Sequence, residues 1–369
     1  MAAYPITPQT TIVEGYAKFV ADGKVTTEYV PVESEHSALS ACIGASAAGA
    51  RVATATSSQG LAFMWEELHI AAGMRCPIVM ANANRALSAP INIHGDHSDI
   101  MGARDTGWAM MFAETAQEAY DNTIVAFKVA EDPNVLLPVL TTLDGFVTTH
   151  AMDNCVMEED QVVKDYVGDY QPLYPLLDTE NPVGHGMFAT LGNGYMKYKL
   201  TERHALDNTL EAFEKHGKEW ADITGRPFDV VDTWGTEDAD YLIVVLGSCA
   251  GNARHQARLL RAEGKKVGVV RPRIFRPFPA KQLVEACKNA KAVAVIDRSD
   301  SFGSPHAPLA LEVRAAFQSA GLQIPVSDYL AGLGGADITL DQMGQVFAEL
   351  EQRAEGTYDG SIKYLGIEE

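Results

Sequence analysis

Apolar and polar positions follow two alternating patterns along this chain of 369 residues. Short apolar runs with the length of a buried strand alternate with longer stretches in which apolar residues recur every three or four positions, the spacing of a helix with one buried face. Strands and helices that alternate in this way form a parallel sheet with helices packed on it, so we predict an α/β fold. The predicted strands are residues 28–32, 52–56, 77–81, 135–140, 241–246, 266–270 and 292–296, and the predicted helices are residues 11–21, 35–48, 60–72, 116–130, 202–225, 252–262 and 280–286.

The pattern occurs in two separate stretches, which predicts two parallel-sheet domains. Between them, residues 152–180 are acidic and rich in Tyr and Pro, as in a surface excursion, and a long amphipathic helix bridges to the second stretch. We place the first domain at residues 1–230, the second at 231–350 and a short polar tail at 351–369. A chain of this length is expected to hold about two domains.

The composition narrows the functional classes. The formal net charge of −20 is spread along the chain, which argues against binding to nucleic acid or to an anionic membrane. No apolar run is long enough to span a bilayer and no export signal is visible, so we expect a cytoplasmic protein. The five cysteines are scattered and none forms a CxxC pair, which fits reduced thiols and excludes a self-contained iron–sulfur cluster.

Three loops follow predicted strands of the first domain. In a parallel sheet, ligands bind at the carboxyl ends of the strands, in such loops. The loops are residues 4–8, residues 56–60 and a long polar stretch at residues 82–107 that carries Arg85 and Arg104. Long irregular loops in compact domains are usually functional or disordered, and this one holds too many apolar and small residues for disorder.

The helix at residues 35–48 consists almost entirely of small side chains. Such a helix has little to bury by itself, so we expect another backbone or a flat ligand close to it. Glu33 and Glu35 lie at its start, where the free N–H groups and the helix dipole stabilise a negative charge. Glu35 is then either a buried carboxylate that faces a heterocyclic cofactor or, as spacing alone favours, a plain first-turn charge.

Other motifs leave two interpretations open. Residues 94–99, HGDHSD, have the side chains of a metal site, but polar contacts within the loop are the favoured interpretation. Arg85 could bind a carboxylate or form a structural salt bridge, and the sequence favours neither. The arginines at 271, 273 and 276 could bind phosphate, but we favour surface or interface charges. No dinucleotide fingerprint or P-loop is present.

Seven ordered motifs, taken together, resemble one family. The chain is similar to the α subunit of the multi-subunit 2-oxoacid:ferredoxin oxidoreductases, and the similarity runs almost from end to end. Family members usually carry a further strand and helix before the first motif, so we expect either a truncated start or a differently formed sheet edge. The motifs are AYPITP at residues 3–8, VESEHSA at 32–38, TATSSQGL at 54–61, NRALSAPINI at 84–93, DIMGARDTGW at 99–108, RPFP at 276–279 and GLGGADIT at 332–339.

The resemblance implies cofactors and partners. The family uses thiamine diphosphate, coenzyme A and iron–sulfur clusters, and its α subunit resembles a pyrimidine-binding domain followed by a domain like the C-terminal one of transketolases. The diphosphate and Mg²⁺ would then lie on a partner β subunit, because the GDG…N pattern that holds them is absent here, and no metal ligand is expected on this chain. The clusters would lie on ferredoxin-like and γ-type subunits that pass electrons to an acceptor protein.

The resemblance also implies roles for single residues. Glu35 would hydrogen-bond the pyrimidine N1′, Thr7 would touch the substrate and the reactive end of the cofactor, and Arg85 would bind the substrate carboxylate. Residues 82–107 would form the substrate loop, with Arg104 as a weaker second contact. The cofactor pocket would be lined by Pro5, Ile6, Ser57, Ser58, Gln59 and Gly60.

The expected reaction is the CoA-dependent oxidative decarboxylation of a 2-oxo acid, with pyruvate as the first candidate. Phenylglyoxylate or a branched-chain 2-oxo acid stays open, because pocket width decides the substrate and we expect His94, His97 and Met101 to set it. A non-catalytic scaffold subunit is the alternative from a different class.

Overall fold

Two sheets with helices packed on them form the molecule, of which the computed structural model describes residues 1–189, 191–357 and 361–367. The elements up to residue 224 are β1 Ala2–Ala3, α1 Thr10–Ala21, β2 Val30–Pro31, α2 Glu35–Ala47, β3 Val52–Thr56, α3 Ser58–Phe63, α4 Trp65–Gly73, β4 Ile78–Asn84, α5 Ser98–Gly102, β5 Ala109–Phe112, α6 Ala116–Ala130, β6 Val139–Asp144, α7 Asp160–Val167 and α8 Gly194–Thr224. The later elements are β7 Val231–Trp234, β8 Tyr241–Val245, α9 Cys249–Ala262, β9 Val267–Pro272, β10 Ile274–Arg276, α10 Ala280–Cys287, β11 Ala292–Asp297, α11 Pro308–Ser319, β12 Val326–Leu330, a 3₁₀ turn Leu333–Gly335, α12 Leu340–Ala354 and β13 Lys363–Tyr364.

The first sheet has the strand order β10-β5-β6-β4-β3. Strands β3 to β6 pair in parallel, whereas β10 pairs antiparallel with β5. The short strands β1 and β2 form a parallel pair that lies beside β3, where the Thr54 hydroxyl donates to the Ala2 carbonyl at 2.7 Å. The parallel α/β character that we predicted is confirmed.

The second sheet has the order β13-β12-β11-β8-β9-β7. Its strands are parallel except for β7, which pairs antiparallel with β9. Part of the tail predicted at residues 351–369 is ordered with this domain. Helix α12 continues to Ala354, and β13 pairs with β12 as a strand of the sheet. No helix in the described ranges is both long and apolar enough to cross a membrane.

Strand β10 returns from the second half of the chain to the first sheet. Its side chains Ile274 and Phe275 are fully buried, which stabilises the fold by about 3–6 kcal/mol together. We expected a proline-ended strand near residues 271–279 but not its pairing with β5, and β5 itself was not predicted, because a strand of four residues is too short to show a period. The domain boundary at residue 230 remains a prediction.

Three predicted elements differ clearly from the structure. The bridging helix predicted at residues 202–225 is α8, which already begins at Gly194. The helix at residues 60–72 is two helices, α3 and α4, which meet at Met64. The strand predicted at residues 135–140 is β6, Val139–Asp144, because it follows Pro138, which has no N–H for the ladder. The shift brings Asp144 to the carboxyl end of a central strand.

The arginines at 271, 273 and 276 are interface charges, as favoured above. Arg271 and Arg273 are buried and both bind Glu118 of α6, at 2.7 and 2.9 Å. Arg276 binds Glu312 at 2.6 Å. The two halves of the molecule are therefore joined by ion pairs as well as by β10.

Candidate active site

The three loops predicted from the sequence meet at the carboxyl end of the first sheet. Arg85, which follows β4, donates from Nη1 to the carbonyl of Thr7 at 3.1 Å. Ser58, which follows β3, donates its N–H to Asp99 of the 82–107 loop at 2.9 Å. The crossing of three polypeptide segments at one sheet edge is the arrangement that a ligand site in this fold class requires.

Glu35 is the first residue of α2. Ser34 is the N-cap, and its hydroxyl accepts the N–H of Ser37 at 3.2 Å. Glu33 is exposed and accepts a hydrogen bond from the Ser37 hydroxyl at 2.5 Å. Glu35 is half-buried rather than buried in this chain, and its carboxylate has no hydrogen-bonding partner among the described residues. Its oxygens are therefore available to a ligand.

Gly60 makes room for the Glu35 carboxylate. A Cβ atom at Gly60 would lie 2.9 Å from Glu35 Oε1 and 2.5 Å from Thr56 Oγ1, distances at which the neighbours must shift. The Thr56 hydroxyl is itself buried, with no hydrogen-bonding partner in the described part of the chain. A carboxylate and a hydroxyl, neither of which has a partner within the described ranges, thus face the same glycine.

Arg85 is almost fully buried, and main-chain carbonyls orient it. Nε donates to the carbonyl of Asn92 at 3.1 Å, and Nη1 donates to that of Thr7. Neither contact is a salt bridge, and Nη2 has no hydrogen-bonding partner among the residues that the structure describes. The guanidinium thus keeps donors for an anionic ligand beside the exposed Thr7.

Asp99, the last residue of the HGDHSD segment, organises the loops, a role that was not predicted. It is fully buried, and its two oxygens accept five hydrogen bonds, so it ties the turn after β3 to the turn after β4. Burial raises the pKa of Asp99, while the hydrogen bonds from its partners oppose that rise. The donors are Ser58 N, Asn82 Nδ2, Asn84 Nδ2, Arg85 N and Ile100 N, at 2.7 to 3.1 Å.

In the turn at Ser57–Gly60, the two serine hydroxyls form hydrogen bonds with other parts of the protein. Both serines are fully buried, and they donate to the carbonyls of Ala83 and Ala86 at 2.6 and 2.7 Å. Ser58 has a φ of 50°, a left-handed conformation that costs energy for a residue with a side chain. The bond from Ser58 N–H to Asp99 holds that conformation in place.

A buried glutamine supports the turn at residues 4–8. Gln9 donates from Nε2 to the Ala55 carbonyl at 2.6 Å and accepts the N–H of Ile6 at 3.3 Å. Ile6 is partly buried, whereas Pro5 and Thr7 are exposed. No sequence signal distinguished Gln9, because its role depends on β3, which lies beside it only in the fold.

The second half of the chain contacts the same sheet edge at Asp144, the last residue of β6. His97 Nε2 lies 2.6 Å from Asp144 Oδ1, and Arg298 Nη1 lies 3.0 Å from Asp144 Oδ2, which also accepts the N–H of Ser248 at 2.8 Å. Burial disfavours the charged form, but Arg298 and His97 outweigh it and hold the pKa of Asp144 well below its usual range. Asp144 therefore joins the two halves of the molecule as an anion.

Comparison with known proteins identifies the chain. Residues 1–219 match the family model described as pyruvate flavodoxin/ferredoxin oxidoreductase, thiamine diphosphate-binding, and residues 239–343 match pyruvate:ferredoxin oxidoreductase core domain II. The chain belongs to this oxidoreductase family. The resemblance on which the sequence analysis relied is thereby confirmed.

Full-length relatives support the membership. The chain is 46% identical to pyruvate synthase subunit PorA of Thermotoga maritima and 41% identical to ketoisovalerate oxidoreductase subunit VorA of Pyrococcus horikoshii. Each alignment covers 100% of this chain and 93% of the relative.

Solved structures support the fold. A 2-oxoglutarate:ferredoxin oxidoreductase from Magnetococcus marinus, solved with 2-oxoglutarate, coenzyme A and succinyl-CoA, matches with a TM-score of 0.69 at 20% identity, over 96% of this chain and 61% of that chain. A split-gene transketolase matches with a TM-score of 0.56 at 14% identity, over 97% of this chain and 92% of that chain.

Within this family fold, the remaining predicted site residues are dispersed. Arg104 lies near Asp105, with 3.6 Å between Nε and Oδ2, and its carbonyl accepts a hydrogen bond from Arg276. His97 and Met101 are buried, whereas His94 is exposed, with its ring 4.9 Å from that of Phe146. Residues 94–99 make polar contacts within the loop, as favoured above, and also contact Asp144 of β6 and Gly334 of the second half.

Proposed function

We propose that this chain is the α subunit of a multi-subunit 2-oxo acid oxidoreductase. The complex would convert a 2-oxo acid and CoA to acyl-CoA and CO₂ and would pass two electrons to iron–sulfur clusters on partner subunits. Pyruvate is the first candidate substrate, because the relative at 46% identity is named a pyruvate synthase subunit.

One observation carries the proposal: the Glu35 carboxylate, Gly60 and the Thr56 hydroxyl form a cradle in which neither the carboxylate nor the hydroxyl has a hydrogen-bonding partner among the residues that the structure describes. A carboxyl group and a hydroxyl fit the nitrogen atoms of an aminopyrimidine. When bound, thiamine diphosphate supplies the nucleophilic carbon that adds to the 2-oxo group. Glu35 would hold a proton shared with the ring nitrogen N1′, and Gly60 would keep the approach to that carboxylate open.

Arg85 and Thr7 would form the substrate end of the site. The Arg85 donors that the chain leaves available suit a carboxylate, which a guanidinium binds through two charge-assisted hydrogen bonds. Thr7 lies at the same place, because its carbonyl accepts from Arg85. The pocket at the pyrimidine end would be lined by Pro5, Ile6 and residues 57–60, with Arg104 as the weaker second contact to substrate.

Partner subunits would supply the other groups. The GDG…N pattern for Mg²⁺ and diphosphate does not occur in this sequence, so a β subunit would hold both. Ferredoxin-like and γ-type subunits would carry the clusters and pass electrons to an acceptor protein. The relatives support an assembly, since both are named as subunits.

A branched-chain 2-oxo acid is the second candidate substrate. It is favoured by the relative at 41% identity that is named a ketoisovalerate oxidoreductase subunit. Of the three residues predicted to set the pocket width, His94 is exposed and stands against Phe146. These two rings would therefore limit the side chain of the substrate.

The test is Glu35→Gln, compared with Glu33→Gln, in the complete complex. Proton sharing by a general acid–base group contributes roughly 10²- to 10⁴-fold, so E35Q should lower kcat by at least about a hundredfold. E33Q alters an exposed carboxylate two residues away and should change kcat less than about twofold. The readout is CoA-dependent reduction of a one-electron dye, with assembly checked by gel filtration. Full activity of E35Q would refute the proposal.

A further inference from the structure

The second half of the chain clamps the 82–107 loop at residues 92–96. Asn92 donates from Nδ2 to the carbonyl of Gly334 at 2.8 Å, and the N–H of Gly334 donates to Asp96 Oδ2 at 2.9 Å. Arg298 adds a bond from Nη2 to the Gly95 carbonyl at 2.7 Å. The partners of the loop are the glycine turn, residues 332–335, and the end of β11.

The same asparagine orients Arg85. The main-chain carbonyl of Asn92 accepts from Arg85 Nε at 3.1 Å, while its side-chain oxygen accepts the N–H of His94 at 2.7 Å. Asn92 is thus held by the glycine turn on one side and holds the guanidinium on the other. Among the described residues, the Arg85 guanidinium has one further hydrogen bond, from Nη1 to the Thr7 carbonyl, so a shift of Asn92 would change the direction of its free donors.

The glycine turn is shaped to admit Asn92. Gly334 has a φ of 61°, and a Cβ atom there would lie 2.5 Å from Asn92 Nδ2. Gly335 has a φ of 80°, and a Cβ atom there would overlap His94. Two consecutive residues therefore have to be glycine both for their backbone conformation and for the close approach of the loop.

We propose that Asn92 is a positioning residue for Arg85, through which the glycine turn sets the affinity for the carboxylate of the 2-oxo acid. The inference rests on the proposed function, in which Arg85 binds that carboxylate. A merely structural Asn92 would affect folding and every substrate alike. A positioning Asn92 acts on the KM for the 2-oxo acid, and only while Arg85 is present.

The first experiment is a double-mutant cycle in the holoenzyme complex, with pyruvate and CoA varied separately. Asn92→Ala should raise the KM for pyruvate roughly five- to tenfold, leave the KM for CoA within twofold and change kcat little. Arg85→Ala should raise the KM for pyruvate further, and adding N92A to R85A should change it less than twofold. Asn208→Ala is the control. Asn208 lies on α8 and donates from Nδ2 to the Asn134 carbonyl at 3.2 Å, so the variant loses a similar bond far from Arg85 in sequence and should leave both KM values unchanged.

The second experiment approaches the same contact from the glycine turn. Gly334→Ala should raise the KM for pyruvate as N92A does, because the new Cβ displaces Asn92. Gly321→Ala is the matched control: Gly321 also has a positive φ, 72°, but no atom lies within 4 Å of a Cβ there. It carries the same backbone strain without the contact, so its KM for pyruvate should be that of the parent enzyme.

The outcomes separate this inference from the proposed function. If R85A raises the KM for pyruvate while N92A and G334A behave as their controls do, the positioning role of Asn92 is wrong and the proposed function stands. An equal effect of N92A with and without Arg85 also refutes the positioning role. If R85A leaves the KM unchanged, Arg85 does not bind the carboxylate, and the role of Arg85 and the positioning role of Asn92 are both overturned. The reaction itself is tested separately by E35Q.

Discussion

A few buried polar residues determine the geometry of the site. Motifs in the sequence pointed to Glu35 and Arg85, and the structure brings their loops to one sheet edge. For Asp99 we predicted only polar contacts within its own loop, as part of residues 94–99, but it accepts hydrogen bonds from residues on both loops. Its partners are far apart in sequence or reached through main-chain N–H groups, so no local pattern marks it. Long-range hydrogen bonds of this kind are the part of a site that one sequence does not display.

Asp99→Asn should destabilise the protein by about 2–4 kcal/mol. The amide replaces one acceptor oxygen with a donor, so buried N–H groups that now bind Asp99 lose their partner, at about 1–3 kcal/mol each. Burial of the charge raises the pKa of Asp99, so removing the charge gives some relief, but the lost acceptors outweigh it. Urea unfolding at pH 7 measures the change.

Asp105→Asn is the control for this substitution, because the Asp105 side chain is 77% exposed. It should change the free energy of unfolding by less than about 0.5 kcal/mol. Equal stability of the two variants would show that the Asp99 network does not stabilise the loops.

At the scale of elements, the sequence pattern predicts some helix and strand bounds well but misses the break between α3 and α4. The strand β3 and the helix α6 have the bounds that the periodicity predicted. The small residues of α2 allow it to lie close to β1 and β3, as expected, and Cys42 is core. The break between α3 and α4 was not predicted, because Met64 and Trp65 carry no helix-ending signal. Met64, at which the two helices meet, is fully buried.

Gly60→Ala should lower kcat at least tenfold while the complex still assembles. The new Cβ would displace the Glu35 carboxylate or the Thr56 hydroxyl, which it would approach to 2.9 and 2.5 Å. Gly73→Ala, at the end of α4, is the matched control, since no atom lies within 4 Å of a Cβ there. Steady-state kinetics of both variants decide the matter, and equal rates would mean that the cradle tolerates a methyl group.

At the scale of the whole molecule, the two halves meet through Asp144 and through β10. The second α/β unit was predicted correctly from its pattern, but its contacts with the first unit were not. Those contacts depend on single residues, such as Ser248 and Arg298, that lie at strand ends over 100 residues from Asp144. Periodicity reports which face of an element is buried, not which distant element covers it.

Asp144→Asn should destabilise the protein by about 3–5 kcal/mol at pH 7, because it leaves the buried Arg298 and His97 without their anion. The folded pKa of Asp144 is lowered, so its stabilising effect is complete above the ordinary aspartate pKa of about 3.9 and is lost as the pH falls toward the folded value. The difference between parent and variant in guanidinium unfolding should therefore be constant from pH 7 to about pH 5 and shrink below about pH 4.

Asp238→Asn serves as the control, since Asp238 pairs with Arg261 near the surface. An exposed pair of this kind contributes about 0–1 kcal/mol, so D238N should remain close to the parent protein at each pH. A D144N variant that behaves in the same way would remove Asp144 from the junction between the two halves.

The position of β10 has a consequence for biosynthesis. While the polypeptide leaves the ribosome, β5 is an open edge of the first sheet until residue 276 has emerged, because its antiparallel neighbour is encoded more than 150 residues later. Open edges recruit other chains, so this interval is when the nascent protein is most exposed to self-association. Translation of the second half thus completes the first, and any pause between the two prolongs that risk.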